Sequence, residues 1–317
     1  MSEQKKDRVD LLSNVAELYY LEGRTQAQIA KRVGVTRSMV SRMLNEARNL
    51  GIVEIKIHRS LMFNRELQTA FMDRYPLADV CIVDVQPGNH DNLIKHLGMA
   101  GAVTLKKFLK PGMVLGIPWG TTVASVVDEL DVNSLVPIKI VQLVGALGSR
   151  NLRFDSHSIV QSLAQKLGGE AYYMNAPFLV DNEVIMQALL GSSPIKDTFR
   201  MAQKCDIALL GIGSTDLQHS SYYQAGYLSA EEVQSLNNMG VVGGVCGVHF
   251  DAQGSIQAQS FQNRIVSIDE NTLRAVPLRI GVAGGRGKAA ALLGAIRGGF
   301  FNIVVTDCWT ALEVIEL

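Results

Sequence analysis

Six short runs beyond residue 79 are apolar almost throughout: Val80–Val85, Met113–Ile117, Ile138–Val144, Ile207–Gly211, Leu278–Ala283 and Ile303–Thr306. Between them lie stretches with apolar residues at helical spacing, such as 91–109, 119–130, 155–168, 194–204 and 287–299. A strand that faces water on one side alternates; one that is apolar on both sides is covered on both. Such strands in alternation with helices predict a Rossmann-like, mostly parallel α/β sheet with helices on both faces. The 47% apolar content is enough to build that core, and the 19% charged content argues against extended disorder.

Several of these runs end in glycine or threonine turns: GIPWGTT (116–122), VGALGS (144–149), GIGSTD (211–216) and VAGGRGK (282–288). Open α/β sheets bind ligands at the carboxyl ends of their strands. Helix N-termini and free backbone N–H groups there favour anions, phosphate above all. Gly120, Thr121 and Thr122 offer such donors, and Lys288 adds a charge beside the Gly284–Gly285 pair. Arg286 is a second cation in the same loop. Sharper motifs fail. VAGGRGKA has Val282 where a Walker A loop needs its first glycine, and Ala289 in place of the magnesium-binding Ser/Thr. GIGSTD lacks the third glycine of a dinucleotide fingerprint, and no GxSxG elbow occurs.

The first sixty residues read differently. Val9, Leu12, Val15, Ala16, Leu18 and Tyr19 predict an amphipathic helix over 8–22. Thr25 caps a second helix from Gln26 to Val33, and Gly34 stops it in a turn that needs positive φ. Thr36 caps a third. On that helix Val40, Met43, Leu44 and Ala47 point inward, while Ser38, Ser41, Arg42 and Asn45 repeat the spacing on the opposite face. The whole stretch Thr25–Leu44 has helix-turn-helix spacing, with the third helix expected in the major groove of DNA. Candidate DNA contacts are Gln26, Thr36, Arg37, Ser38, Ser41, Arg42 and Asn45. Alternating Val53, Ile55 and Ile57 suggest a wing strand over 51–58.

Charge supports this division. Residues 1–60 hold 11 Lys/Arg against 7 Asp/Glu, and the remainder 19 against 23, for a net charge of zero. Only the basic head is expected to meet a polyanion. Cys81, Cys205, Cys246 and Cys308 are scattered, with neither metal-ligand nor disulfide spacing. The polar N-terminus and the absence of a long apolar run point to a cytoplasmic protein with no membrane span. A helix over 62–75 reads either as packed on its own domain or as a linker that pairs subunits. DNA half-sites come in pairs, so a dimer or larger assembly is expected.

TQAQIAKRVGVTRSMVSRML followed by GIV, then GIPWGTT, DIALLGIG, FDAQG, VAGGRGKA and NIVVTD, resembles the SorC family of bacterial sugar-operon regulators over almost the whole chain. The resemblance implies a helix-turn-helix domain (1–58), a linker helix (59–78) and an effector domain (79–317) related to sugar-phosphate isomerases and deaminases. It implies double-stranded operator DNA and a phosphorylated sugar as partners, a tetramer or dimer, and no cofactor or metal. Effector-binding candidates are then Gly120, Thr121, Thr122, Gly145, Gly213, Gly284, Gly285 and Lys288, with the GTT turn and Lys288 facing the phosphate. One departure stands out: Gly243-Gly244 occupies the segment where many relatives carry an aspartate. The chain reads as a regulator, repressor or activator, and not as an enzyme. The alternative is a sugar-phosphate isomerase or deaminase with a DNA-binding head. Asp155, Asp181, Asp206, Asp216, Asp251 and Asp307 lie near strand ends, but most of them fit caps and turns, and His157 and His249 lack a paired acid.

Overall fold

The computed structural model describes residues 3–53, 61–85, 88–132, 134–148 and 154–317, with the side chains of 3–7 left aside. The chain divides into two compact units, Met1–Ser60 and Leu61–Leu317.

The first unit holds α1 (Glu3–Tyr20), α2 (Gln26–Val33) and α3 (Arg37–Asn49). Thr25 and Gln28 form a reciprocal capping box at the start of α2. Gly34 ends that helix with φ 74°, the left-handed conformation its turn demands. Thr36 accepts a hydrogen bond from the Met39 N–H and starts α3. Leu12, Val15, Ile29, Val40, Met43, Leu44 and Ala47 bury together as the core of this small bundle. Of the expected wing, residues 54–58 lie outside the described ones. Gly51–Val53 form no strand: the Ile52 and Val53 N–H groups donate to Ala47 O and wrap the end of α3.

The second unit opens with α4 (Arg65–Arg74), β1 (Asp79–Val83), α5 (His90–Phe108), β2 (Val114–Ile117), α6 (Thr121–Glu129), β3 (Lys139–Gln142), α7 (Ser156–Leu167) and β4 (Glu170–Tyr172). It continues through α8 (Glu183–Gly191), α9 (Ser193–Ala202), β5 (Ile207–Leu210), β6 (Gly213–Ser214), α10 (Ser221–Gln224), α11 (Ala230–Asn238), β7 (Gly243–Val245) and β8 (Val248–Phe250). It closes with α12 (Gln259–Gln262), α13 (Glu270–Ala275), β9 (Leu278–Val282), α14 (Ala289–Arg297), β10 (Ile303–Asp307) and α15 (Cys308–Glu316). A seven-stranded parallel sheet runs β1-β10-β9-β5-β2-β3-β4. Its two faces bury alternate residues of the same strands. Val80, Ile82, Val114, Ala208, Leu210 and Val304 pack on one side, and Cys81, Val83, Leu115, Ile207, Leu209 and Val305 on the other. That double burial is why the runs read as apolar throughout. From β2 the chain winds outward to β3 and β4; from β5 it winds the opposite way to β9 and β10. This reversal opens a crevice at the carboxyl ends of β2 and β5.

Helix α4 is built into the second unit and does not stand apart as a linker. Asn64 caps it, Phe71 is fully buried, and the Tyr75 hydroxyl donates to Val314 O of α15. Strand β4 and the small antiparallel sheet β6-β7-β8 were not expected. Both are short, and glycine-rich β7 has no alternating pattern to betray it.

Candidate functional site

Two surfaces carry the chemistry, one in each unit. In the first, Val40, Met43, Leu44 and Ala47 of α3 are buried, which leaves Thr36, Arg37, Ser38, Arg42 and Asn45 exposed and Ser41 half-buried on the other face. The Thr36 and Ser38 hydroxyls lie 2.9 Å apart. Asn45 accepts a hydrogen bond from Arg48. Among the described residues neither Arg37 nor Arg42 is held in an ion pair. Gln26 stands half-buried at the start of α2. The arrangement is a polar, basic helix face on a rigid three-helix support, the form that enters a major groove.

In the second unit a cavity of about 1060 Å³ opens at the carboxyl ends of the strands. Of the eight residues expected at the effector site, seven line it: Gly120, Thr121, Thr122, Gly213, Gly284, Gly285 and Lys288. Gly145 does not. It is buried in a close crossing: its N–H donates to Val266 O, and a β-carbon there would stand 2.4 Å from Pro177 O. The glycine at 145 serves packing, and its neighbour Leu147 reaches the cavity instead.

Two helices begin at this cavity without a side-chain cap. Gly120, with φ 148°, precedes α6, and Lys288 precedes α14. Most other helices of the chain are capped by Ser, Thr, Asn or Asp side chains, as at Asn64, Asn89, Asp155 and Asn182. An uncapped N-terminus keeps its first N–H groups free for a ligand and carries a partial positive charge. Lys288 stands at the start of the second of the two, α14. Its ammonium donates to Ile212 O at 3.0 Å. Burial brings its pKa down to about 8, with Asp216 opposing the shift.

Asp307 holds the glycine loop in shape. It is 2% exposed and accepts hydrogen bonds from the Gly285, Trp309 and Thr310 N–H groups and the Thr310 hydroxyl. The carboxylate is therefore spent on the scaffold, capping α15 and pinning Gly285. Asp155 and Asp251 are spent likewise on backbone N–H groups, and Asp206 accepts from Val114 N–H. The far wall is aromatic: Trp119 meets Phe178 edge-on at 5.4 Å, and Phe178 stacks on Tyr222 at 5.8 Å. Nothing in residue spacing brings these three together, so the wall is visible only in the fold.

The Gly243-Gly244 departure has a packing reason. A β-carbon at 243 would lie 2.6 Å from Ala291 Cβ of α14, and one at 244 would press the buried His249 ring at 3.2 Å. The β7–β8 hairpin turns through Cys246 (φ 51°) and Gly247 (φ 81°), and both line the cavity with Gly244. His249 is fully buried between Tyr222 and Phe261, and burial lowers its pKa to about 4, so it is neutral. Sequence reasoning also missed His219. It lines the cavity, paired with Asp216 three residues earlier. That i, i+3 acid–histidine spacing was the available signal.

Among the described residues no helix is long and apolar enough to cross a membrane, and no cluster has the makings of a metal site.

Comparison with known proteins adds independent findings. Residues 59–316 match the family described as "Putative sugar-binding domain", and residues 13–49 match sigma-70 region 4. The chain is 29% identical over 314 residues to the sorbitol operon regulator of Klebsiella pneumoniae, covering 97% of this chain and 98% of that one. It is 26% identical to the deoxyribonucleoside regulator of Bacillus subtilis, over 98% and 99% of the two chains. The crystal structure of the full-length Klebsiella regulator SorC superposes with a TM-score of 0.74 at 29% identity, over 98% of this chain and 99% of that one.

Proposed function

The chain belongs to the SorC family of transcription regulators, with a helix-turn-helix head and a sugar-binding domain, and on that premise we propose that it controls a carbohydrate operon in response to a phosphorylated sugar. The observation that carries the phosphate is the convergence of two uncapped helix N-termini and the half-buried Lys288 on one cavity. A neutral sugar has no use for that much positive potential; a phosphate monoester does. The aromatic wall of Trp119, Phe178 and Tyr222 suits the carbon face of the same ligand.

The α3 face binds double-stranded operator DNA, with Thr36, Arg37, Ser38, Ser41, Arg42 and Asn45 as contacts and Gln26 on the flanking backbone. A two-fold operator calls for a dimer or tetramer. The effector acts by population shift: it favours whichever assembly state it binds better, and DNA affinity follows. Catalysis is not part of this reading: Asp307, the acid set deepest in the cavity wall, is committed to four hydrogen-bond donors of the scaffold.

Two measurements test it. A thermal-shift panel of sugar phosphates and their unphosphorylated parents is expected to show stabilisation by one phosphorylated compound, about 2.7 kcal/mol at a hundred times its dissociation constant. Stabilisation by a parent alone refutes the phosphate. Arg42→Ala is expected to weaken operator binding by about 1–3 kcal/mol in a gel shift at fixed salt. Unchanged affinity removes Arg42 from the interface.

A further inference from the structure

The turn that follows β5 does more than close the strand. Ile212 O holds the Lys288 ammonium, and the Ser214 hydroxyl donates to Gly287 O at 3.0 Å. The Asp216 N–H donates to the Ser214 oxygen, and Asp216 Oδ1 accepts from the Gln218 N–H. The turn is thus bolted to the loop that carries Lys288. His219 stands at its end. Its Nδ1 is buried and 3.4 Å from Asp216 Oδ1, with no hydrogen-bond partner among the described residues. Gly287 lies against the pair: a β-carbon there would stand 3.1 Å from His219 Nδ1 and 3.2 Å from Asp216 Oδ2. Only glycine lets the histidine and the lysine-bearing loop close up this far.

Building on the phosphate reading above, we propose that His219, oriented by Asp216, is a ligand of the effector phosphate and selects a dianionic phosphate ester over a singly charged or neutral compound. A phosphate monoester carries close to two negative charges at neutral pH, and Lys288 supplies one positive charge. Arg286 sits exposed at the rim. Nδ1 lies on the Asp216 side of the ring, which leaves Nε2 as the ring nitrogen open to a ligand in the cavity that His219 lines. Among the described residues the groups set against it are Asp216 on its own turn and Gly287 of the lysine-bearing loop; Asp307 and Glu313 line the same cavity.

Inorganic phosphate and gluconate, a singly charged sugar acid, are the probes, titrated calorimetrically into the full chain. Wild type is expected to bind phosphate. His219→Gln is expected to weaken phosphate about 10-fold or more, to leave gluconate within about twofold, and to leave the unliganded melting temperature in place. Asp216→Asn, which removes the orienting charge, is expected to fall between. If His219→Gln keeps wild-type phosphate affinity while Lys288→Met loses it, the role of His219 is overturned and the phosphate reading stands. Equal losses for both probes assign His219 a structural role and also overturn the proposal. No phosphate binding by wild type overturns the phosphate reading, and this inference with it.

Discussion

Lys288→Met is expected to abolish the effector response and at the same time to stabilise the ligand-free protein. Lys288 is half-buried in the cavity, its ammonium has one carbonyl partner among the described residues, and desolvation brings its pKa to about 8 against an ordinary 10.5. Below about pH 8 it is charged in both the folded and the unfolded chain, so the folded state bears the whole burial penalty. Between about 8 and 10.5 the folded state gives up its proton first, and stability from this group rises with pH. Methionine fills a similar volume without the charge. Allowing for partial screening, the gain is about 1–3 kcal/mol near neutral pH, read as a raised melting temperature. The loss is in binding: removal of a charge-assisted contact to phosphate costs about 2–3 kcal/mol, on the order of 100-fold. The same chemistry predicts a pH profile. An anion favours the charged lysine, so wild-type affinity is expected to fall as pH rises through about 8 and to approach tenfold per unit above it. Lys288→Met is expected to show no such fall. A destabilised variant, or one that keeps its effector, contradicts the account.

Gly284→Ala is expected to destabilise the effector unit by about 2–4 kcal/mol and to remove effector binding with it. The added β-carbon would stand 2.2 Å from Asp307 Oδ2 and 3.0 Å from Leu97 Cδ1. Asp307 cannot move aside, because four donors from Gly285, Trp309 and Thr310 hold it. Either the cap of α15 or the glycine loop gives way, and both define the cavity. Denaturant unfolding measures the first loss and ligand titration the second. A variant with wild-type stability means that Asp307 is less constrained than its contacts imply.

These two residues differ in how far the sequence exposes them. Lys288 stands beside a glycine pair after an apolar run, so its place at a strand's carboxyl end is legible. The reason for Gly284 is not, since the carboxylate it makes room for lies 23 residues away in β10. Gly145 resembled the other turn glycines and proved to serve a backbone crossing against Pro177. His219 passed unnoticed because its partner Asp216 was read as a turn residue; it is that too, through the Gln218 N–H. Strand β4 and the β6-β7-β8 sheet are too short and too glycine-rich to carry a period.

The helix-turn-helix, the doubly covered parallel sheet and the glycine turns at strand ends are all legible along the chain. Each rests on a local periodicity or on the backbone freedom of one residue, and both are written along the chain. It took the folded chain to show that α4 belongs to the effector unit, that Trp119, Phe178 and Tyr222 share a wall, and that His219 meets the loop of Lys288. Those juxtapositions depend on strand order, and strand order is set by how whole faces pack, which no stretch of sequence contains.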